Sequence, residues 1–380
     1  MSYIDWTENN HIRPIELNTK EQYYADLSNI SFSLTERIGA GFANSFIKEA
    51  VFLIINAVNL FEKGFFDCAY YSLRQSLEIA TTMNYFWELD SKKRIEHFQN
   101  WNTQQKFPMS GEMITILRKN KETYFDLFSK MEEFFNSVEN AKKKINKFVH
   151  KQGDEYLYTI RNHPSKQKND NIYIEEFEDF LKICIGAVAM LRLTIDPLPI
   201  LLMDKDIYFR TWDTLTRPYD DEFIDKYIGY KYIEKYKQTL IYKSHYNDFI
   251  YEEKRLECVV DVIKHKYINK NKINDILTQK HLLSENEILA VILCGQIKKI
   301  VKLHTYTGFI TYFTNEKTAR VNLNHDGFFF KALSININPI NHKYDESYIS
   351  YFKYGNDSDV FLEHNELLTD DEIRVIKNII

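Results

Sequence analysis

Residues 45–89 read SFIKEAVFLIINAVNLFEKGFFDCAYYSLRQSLEIATTMNYFWEL. Phe46, Ala50, Leu53, Ile54, Ala57, Val58 and Phe61 recur at steps of three and four, the spacing of one face of an α-helix. Gly64 closes that helix. A second stripe follows from about Phe65 to Leu89, carried by Ala69, Leu73, Leu77, Ala80 and Met83. So short a connection between two long amphipathic helices predicts an antiparallel hairpin.

The pattern continues outward. Shorter helices are predicted over 111–119, 121–135 and 137–147. A polar stretch from Gly153 to Asn171 interrupts the period, and helix returns from Ile174 to Ile195. Asp196-Pro197-Leu198-Pro199 stops it, because proline cannot continue a helix. An all-helical bundle is therefore expected over 45–204, preceded by an N-terminal arm, 1–44, with one short helix near Lys20–Leu27. The period lapses over 204–221, where a domain boundary is expected. Helices are predicted again at 221–241 and 245–268. Ser284 and Glu287 have the spacing of a capping box opening a helix to about Ile300. Strand composition then appears at 309–313, 319–324, 328–337, 349–354 and 360–363. His325-Asp326-Gly327 reads as a hairpin signal and Gly355-Asn356-Asp357-Ser358 as a polar turn. Thr369 and Glu372 cap a last helix. The expected fold class is mainly α: a helical bundle followed by an α+β domain, 205–380, with a small antiparallel sheet.

Composition excludes several functions. Lys plus Arg is 49 and Asp plus Glu 54, a formal charge of −5, which rules out a generally basic protein that blankets nucleic acid. The 11 glycines and 7 prolines in 380 residues fall well below the roughly 12% of average usage. No two glycines have phosphate-loop spacing, and Gly39-Ala40-Gly41 lacks the third glycine of a dinucleotide fingerprint because Asn44 stands there. Neither Gly-x-Ser-x-Gly nor His-Glu-x-x-His occurs. Cys68, Cys184, Cys258 and Cys294 form no Cys-x-x-Cys, and Cys68 and Cys184 lie in apolar helical patterns, as buried reduced thiols do. No cofactor and no metal site is expected, since His325, Asp326 and His364 lack a third ligand. Met-Ser-Tyr-Ile-Asp-Trp is no signal peptide. The apolar run Ala50–Phe61 is too short to span a bilayer, and Ile183–Met203 contains Arg192, Asp196 and two prolines. A soluble cytoplasmic protein is expected.

Chemistry concentrates on two helices. Arg74 and Glu78 lie four apart, on one helix side beside the apolar stripe. A later helix ends Ile145-Asn146-Lys147-Phe148-Val149-His150. In an antiparallel bundle these helices can face each other, and a guanidinium, a carboxylate and an imidazole together bind a phosphate and move a proton. The plainer reading is an ion pair tying the helices, with His150 as a C-terminal capping cation. Lys142-Lys143-Lys144, Lys147 and Lys151 add positive charge beside His150. They form either a backbone-binding patch or a solvated helix face. The candidate catalytic set is Arg74, Glu78 and His150. The candidate nucleic-acid contacts are Lys143, Lys144, Asn146, Lys147 and Arg161.

Leu73-Arg74-Gln75-Ser76-Leu77-Glu78 in a long apolar helix, with Asn146-Lys147-Phe148-Val149-His150 at the end of a later one, resembles HEPN-like helical bundles of bacterial defence and toxin families. The likeness covers about residues 45–200. It implies a metal-independent RNase that uses an Arg-x(4–6)-His motif, often across a dimer interface. The sequence departs from that motif in its helical half: Arg161-Asn162-His163 has the residue types at the wrong spacing. The one Arg-x4-His string, Arg320 to His325, falls on an expected strand and turn. Two functions follow: an RNase-like defence effector acting on RNA as a homo-oligomer, or a non-catalytic regulatory protein whose bundle is an assembly surface, with an operon-encoded protein as a possible partner.

Overall fold

A computed structural model describes residues 2, 4–5, 14–120, 122–161, 163–166, 168–306, 310–316, 334, 339–344, 346–354 and 358–380. The fold is mainly α, with an α+β C-terminal domain built on a small antiparallel sheet. It divides into two compact units: Met1–Tyr208 with Thr214–Tyr251, and Phe209–Asp213 with Glu252–Ile380.

In the first unit, α1 (Lys20–Ser31) precedes the long hairpin α2 (Gly41–Glu62) and α3 (Phe66–Glu88). Gly64 makes the turn at φ 81°, a conformation that side chains with a Cβ resist. The Gly64 and Phe65 amides close the turn on the Phe61 and Leu60 carbonyls. There follow α4 (Ser91–Asn102), α5 (Ser110–Asn120), α6 (Glu122–Lys130), α7 (Glu132–His150), the single turn α8 (Tyr158–Arg161) and α9 (Asp170–Arg192). Helix α3 is the hub, packed on α2, α5, α7 and α9. Stacked rings fix the packing: Phe61 on Phe177 at 4.1 Å, Tyr70 on Phe148 at 4.3 Å, and Phe86 on Phe98 at 3.9 Å between centroids. Among the described residues α2 alone is long and apolar enough to cross a membrane by length and composition, longer than the Ala50–Phe61 run suggests. Its Ala43, Ala50, Ile54, Ala57 and Val58 are buried in the core of this unit.

The expected boundary at 204/205 and the division observed at 251/252 differ, for a packing reason. After α10 (Leu198–Leu201) and α11 (Lys205–Tyr208), the helices α12 (Asp221–Tyr227), α13 (Tyr230–Tyr236) and α14 (Leu240–Ile250) stay on the first unit. Gly186 allows this: a Cβ there would lie 2.0 Å from the Tyr227 carbonyl oxygen, so α9 and α12 touch backbone to backbone. Asp26 on α1 accepts hydrogen bonds from Lys226 (2.8 Å) and the Tyr227 hydroxyl (2.5 Å). The expected arm is thereby part of the unit, with Tyr23, Leu27 and Ile30 buried.

The second unit holds α15 (Glu257–His265), α16 (Ile273–Thr278) and α17 (Glu285–Gln296). Its strands are β1 (Ile300–Tyr306), β2 (Ile310–Thr314), β3 (His342–Tyr344), β4 (Ser347–Tyr354) and β5 (Ser358–His364), and α18 (Asp370–Ile379) closes it. The sheet order is β2-β1-β5-β4-β3, antiparallel throughout. Both capping boxes are formed, Ser284 with Glu287 and Thr369 with Glu372. The helix expected to reach Ile300 stops at Gln296, because Ile300, Leu303 and Thr305 pair into the sheet. The expected strands 319–324 and 328–337, the hairpin at 325–327, the Arg320–His325 string and Gly355–Asp357 of the turn lie outside the described residues, apart from Ser334.

Candidate functional site

Three residues of α3 point along one seam with α7. Asp67, Tyr70 and Arg74 lie three and four apart, so they stack on one side, and Glu78 continues the row. Leu73 and Leu77 face the core and fix the rotation of the helix. On α7, Phe134, Phe135, Val138, Ala141, Ile145 and Phe148 do the same, leaving Lys143, Lys147 and His150 on a common outer stripe. His150 is the last helical residue, and Lys151 turns the chain in the left-handed region at φ 52°.

The structure brings Arg74, Glu78 and His150 together. The Arg74 Nε donates to Glu78 Oε1 at 3.0 Å, and Gln75 Nε2 donates to Glu78 Oε2 at 3.1 Å. Arg74 Nη1 donates to His150 Nε2 at 2.8 Å. A guanidinium cannot accept, so Nε2 carries the lone pair and the ring proton sits on Nδ1. The Arg74 and Glu78 side chains are 15% and 22% exposed, and His150 is exposed. The cluster is thus a half-buried ion pair holding a solvent-facing imidazole.

A second polar knot lies two turns back along α3. Lys151 pairs with Asp67 Oδ2. Arg161 Nη1 lies 3.7 Å from Asp67 Oδ1, and Nη2 lies 3.9 Å from Glu176 Oε2, both too long for hydrogen bonds. Asp67 Oδ1, the Tyr70 hydroxyl and Arg161 Nη1 are all buried without a hydrogen-bond partner among the described residues. Burial, and then the Glu176 charge, push the Tyr70 hydroxyl well above its usual range against the opposing pull of Arg161. Tyr70 therefore stays protonated.

The other candidate contacts fall in different places. Lys143, Lys144 and Lys147 are exposed, and Lys147 Nζ lies 5.9 Å from the Tyr156 ring centroid. Asn146, one turn before His150, buries Oδ1 without a partner among the described residues. Arg161 is not on this surface: its side chain is 10% exposed and lies over the Phe148 ring at 4.6 Å. The loop after α7 folds back so that Asp67 and Glu176 flank it. His163 bonds Ser165 through Nδ1 at 2.7 Å. Sequence reasoning missed Asp67 and Tyr70, although their spacing from Arg74 on the same helix was the available signal. Cys68, expected buried, is exposed on α3, whereas Cys184 and Cys294 are buried and their thiols are pushed up to about 12. Among the described residues no group of His, Cys, Asp or Glu could hold a metal ion.

No protein-family model, curated protein or solved structure matches this chain.

Proposed function

We propose that the α3–α7 seam is the active site of a HEPN-like, metal-independent endoribonuclease acting in the bacterial cytoplasm as a defence or toxin-like effector. The observation that carries this reading is the 2.8 Å contact between Arg74 Nη1 and His150 Nε2, with Glu78 anchoring the other side of the guanidinium. An RNA phosphate entering the seam competes with Nε2 for the Arg74 fork, which suits phosphate geometry. Nε2 is then free to take the proton of the ribose 2′-hydroxyl. The 2′ oxygen attacks phosphorus, the P–O5′ bond breaks, and the leaving oxygen takes its proton from water. The products are a 2′,3′-cyclic phosphate and a 5′-hydroxyl. Exposed Lys143, Lys144 and Lys147 lie where the strand would approach.

Expression of the full chain in a bacterial host tests the reading in cells. It predicts growth arrest with fragmented RNA, relieved by His150→Ala. Arrest that persists in that variant contradicts it. The same reading takes the chain to be a homo-oligomer, and light scattering that shows a monomer at all concentrations would remove a composite site across copies.

A second reading has its own support. Lys147 falls in the last turn of α7, where cations interact favourably with the helix dipole, and Arg74 holds the His150 ring that ends the helix. The cluster is then a clamp, and the protein a non-catalytic regulator that binds an operon-encoded partner.

A further inference from the structure

The second polar knot opens into a cleft of about 520 Å³, within the size of small-ligand sites. Phe148 and Tyr173 are buried in its wall, Tyr156 flanks them, and Arg161, Glu176 and Lys168 are among its polar lining. Phe148 is covered by Tyr70 and Arg161, and Tyr173 by Phe66 and Arg161, so the half-buried Tyr156 is the ring left to meet a flat ligand. Unpaired bases are taken up this way, stacked on aromatic side chains or arginine planes and read along their edges.

The polar groups define which ligand fits. The Arg161 side chain is nine-tenths buried; its Nη1 faces Asp67 at 3.7 Å without a hydrogen bond, and its Nη2 lies on the Glu176 side. Glu176 Oε2 is an acceptor 3.9 Å from Nη2, with its side chain 34% exposed. Neither group is saturated by the other. A donor beside a carboxylate matches an edge that presents an acceptor next to donors. Guanine presents that order: O6, then N1–H, then the 2-amino group. Adenine places an amino donor where O6 would be, facing the guanidinium. Uracil offers one N–H between two carbonyls, and cytosine one amino group beside an acceptor.

We infer that this cleft binds an unpaired guanine base, stacked against Tyr156, with Arg161 donating to O6 and Glu176 accepting from N1–H and the 2-amino group. The inference rests on the nuclease reading only for the strand to which the base belongs. Phe148, which lines the cleft, stands two residues before His150 at the end of α7. A base in the cleft thereby belongs to the strand whose phosphate reaches Arg74 and His150.

Calorimetric titration of the full chain with GMP, AMP, CMP and UMP tests the base site without any cleavage. GMP should bind about tenfold or more tightly than the other three, the worth of a hydrogen bond to a charged group. Glu176→Gln, with its thermal midpoint unchanged, should abolish most of that preference, because the amide replaces one acceptor by a donor. Tyr156→Leu should weaken all four nucleotides together through lost stacking. His150→Ala should bind GMP like the unaltered protein. Equal affinity for the four nucleotides, no binding, or a preference untouched by Glu176→Gln overturns the inference. GMP selectivity in a protein that cuts no RNA would sink the nuclease reading and leave the base site standing. Cleavage without preference for guanine-containing strands would do the reverse.

Discussion

The first unit contains two arginine–carboxylate pairs with the same spacing and opposite surroundings. Arg192 and Asp196, at the end of α9, are 0% and 4% exposed. Every side of that fork is used inside the protein: Nε donates to the Ser33 carbonyl at 2.5 Å, Nη1 to the Asp196 carbonyl at 3.1 Å, and Nη2 to Asp196 Oδ1 at 3.2 Å. Asp196 in turn accepts from the Thr35 hydroxyl at 2.5 Å and the Leu198 amide at 3.2 Å. Arg74 and Glu78 are half-buried, and their free guanidinium nitrogen reaches an exposed imidazole. One pair is closed and staples the α9 terminus to the chain before α2. The other is open and holds a titratable group at the surface. An Arg-x-x-x-acid string on a helix therefore carries no role by itself; burial and the destination of the remaining donors assign it.

Substitution should separate the two pairs, most strongly at the closed one. Arg192→Ala leaves Asp196 buried without its cation, which costs about 3–5 kcal/mol, or roughly 10 °C in the midpoint. Thermal or urea unfolding measures it, and a loss under about 1 kcal/mol would erase the contrast. Next in size is Gly186→Ala on the same helix, where the new Cβ collides with the Tyr227 carbonyl. Overpacking of this kind costs about 1–3 kcal/mol. A neutral result would mean that α12 is free to move away from α9.

The open pair should behave differently. Arg74→Ala should cost about 1 kcal/mol or less, as half-exposed ion pairs do. A loss as large as that at Arg192 would make the Arg74 cluster a structural clamp and support the non-catalytic reading.

How much of this was legible beforehand follows from which interactions are local. The α2–α3 hairpin, its Gly64 turn and both capping boxes depend on residues a few positions apart, and the sequence displays them. Arg74, Glu78 and His150 could be paired because an antiparallel bundle brings the ends of α3 and α7 to one side. The attachment of α12 could not be read, since it rests on the close approach between Gly186 and Tyr227 and on Asp26, far away in sequence, and an isolated glycine in an apolar helix has many explanations. Arg161 looked like a surface cation because its loop is polar; only the return of that loop onto Asp67 and Glu176 buries it. The cleft was invisible for the same reason, being assembled from Phe148, from Tyr156, Arg161 and Lys168 after α7, and from Tyr173 and Glu176 on α9.

A smaller effect contrasts the exposed His150 with His364, a buried imidazole of the second unit. His364 donates from Nδ1 to the Glu366 carbonyl at 2.7 Å and accepts from the Ser350 hydroxyl at 2.9 Å. Burial holds it below the usual value of 6.5, against the smaller upward pull of that carbonyl. Above pH 6.5 both folded and unfolded forms are neutral there and the group has no effect. As pH falls below 6.5 the unfolded chain takes the proton first, so stability drops until the folded value is reached. Unfolding of the second unit followed by hydrogen exchange should show this slope, and His364→Gln should flatten it. The same slope in that variant would assign it to other groups.

The central claim is that the Arg74–His150 contact is chemical equipment. The most direct test is cleavage of end-labelled single-stranded RNA by the purified full chain in EDTA, compared with His150→Ala at matched thermal midpoint. The account predicts cutting to 2′,3′-cyclic phosphate ends without metal, and a loss of about 10²–10⁴-fold in the variant, the usual worth of a general acid–base group. Cleavage at an equal rate by the folded His150→Ala protein, or none by the unaltered chain, would contradict it.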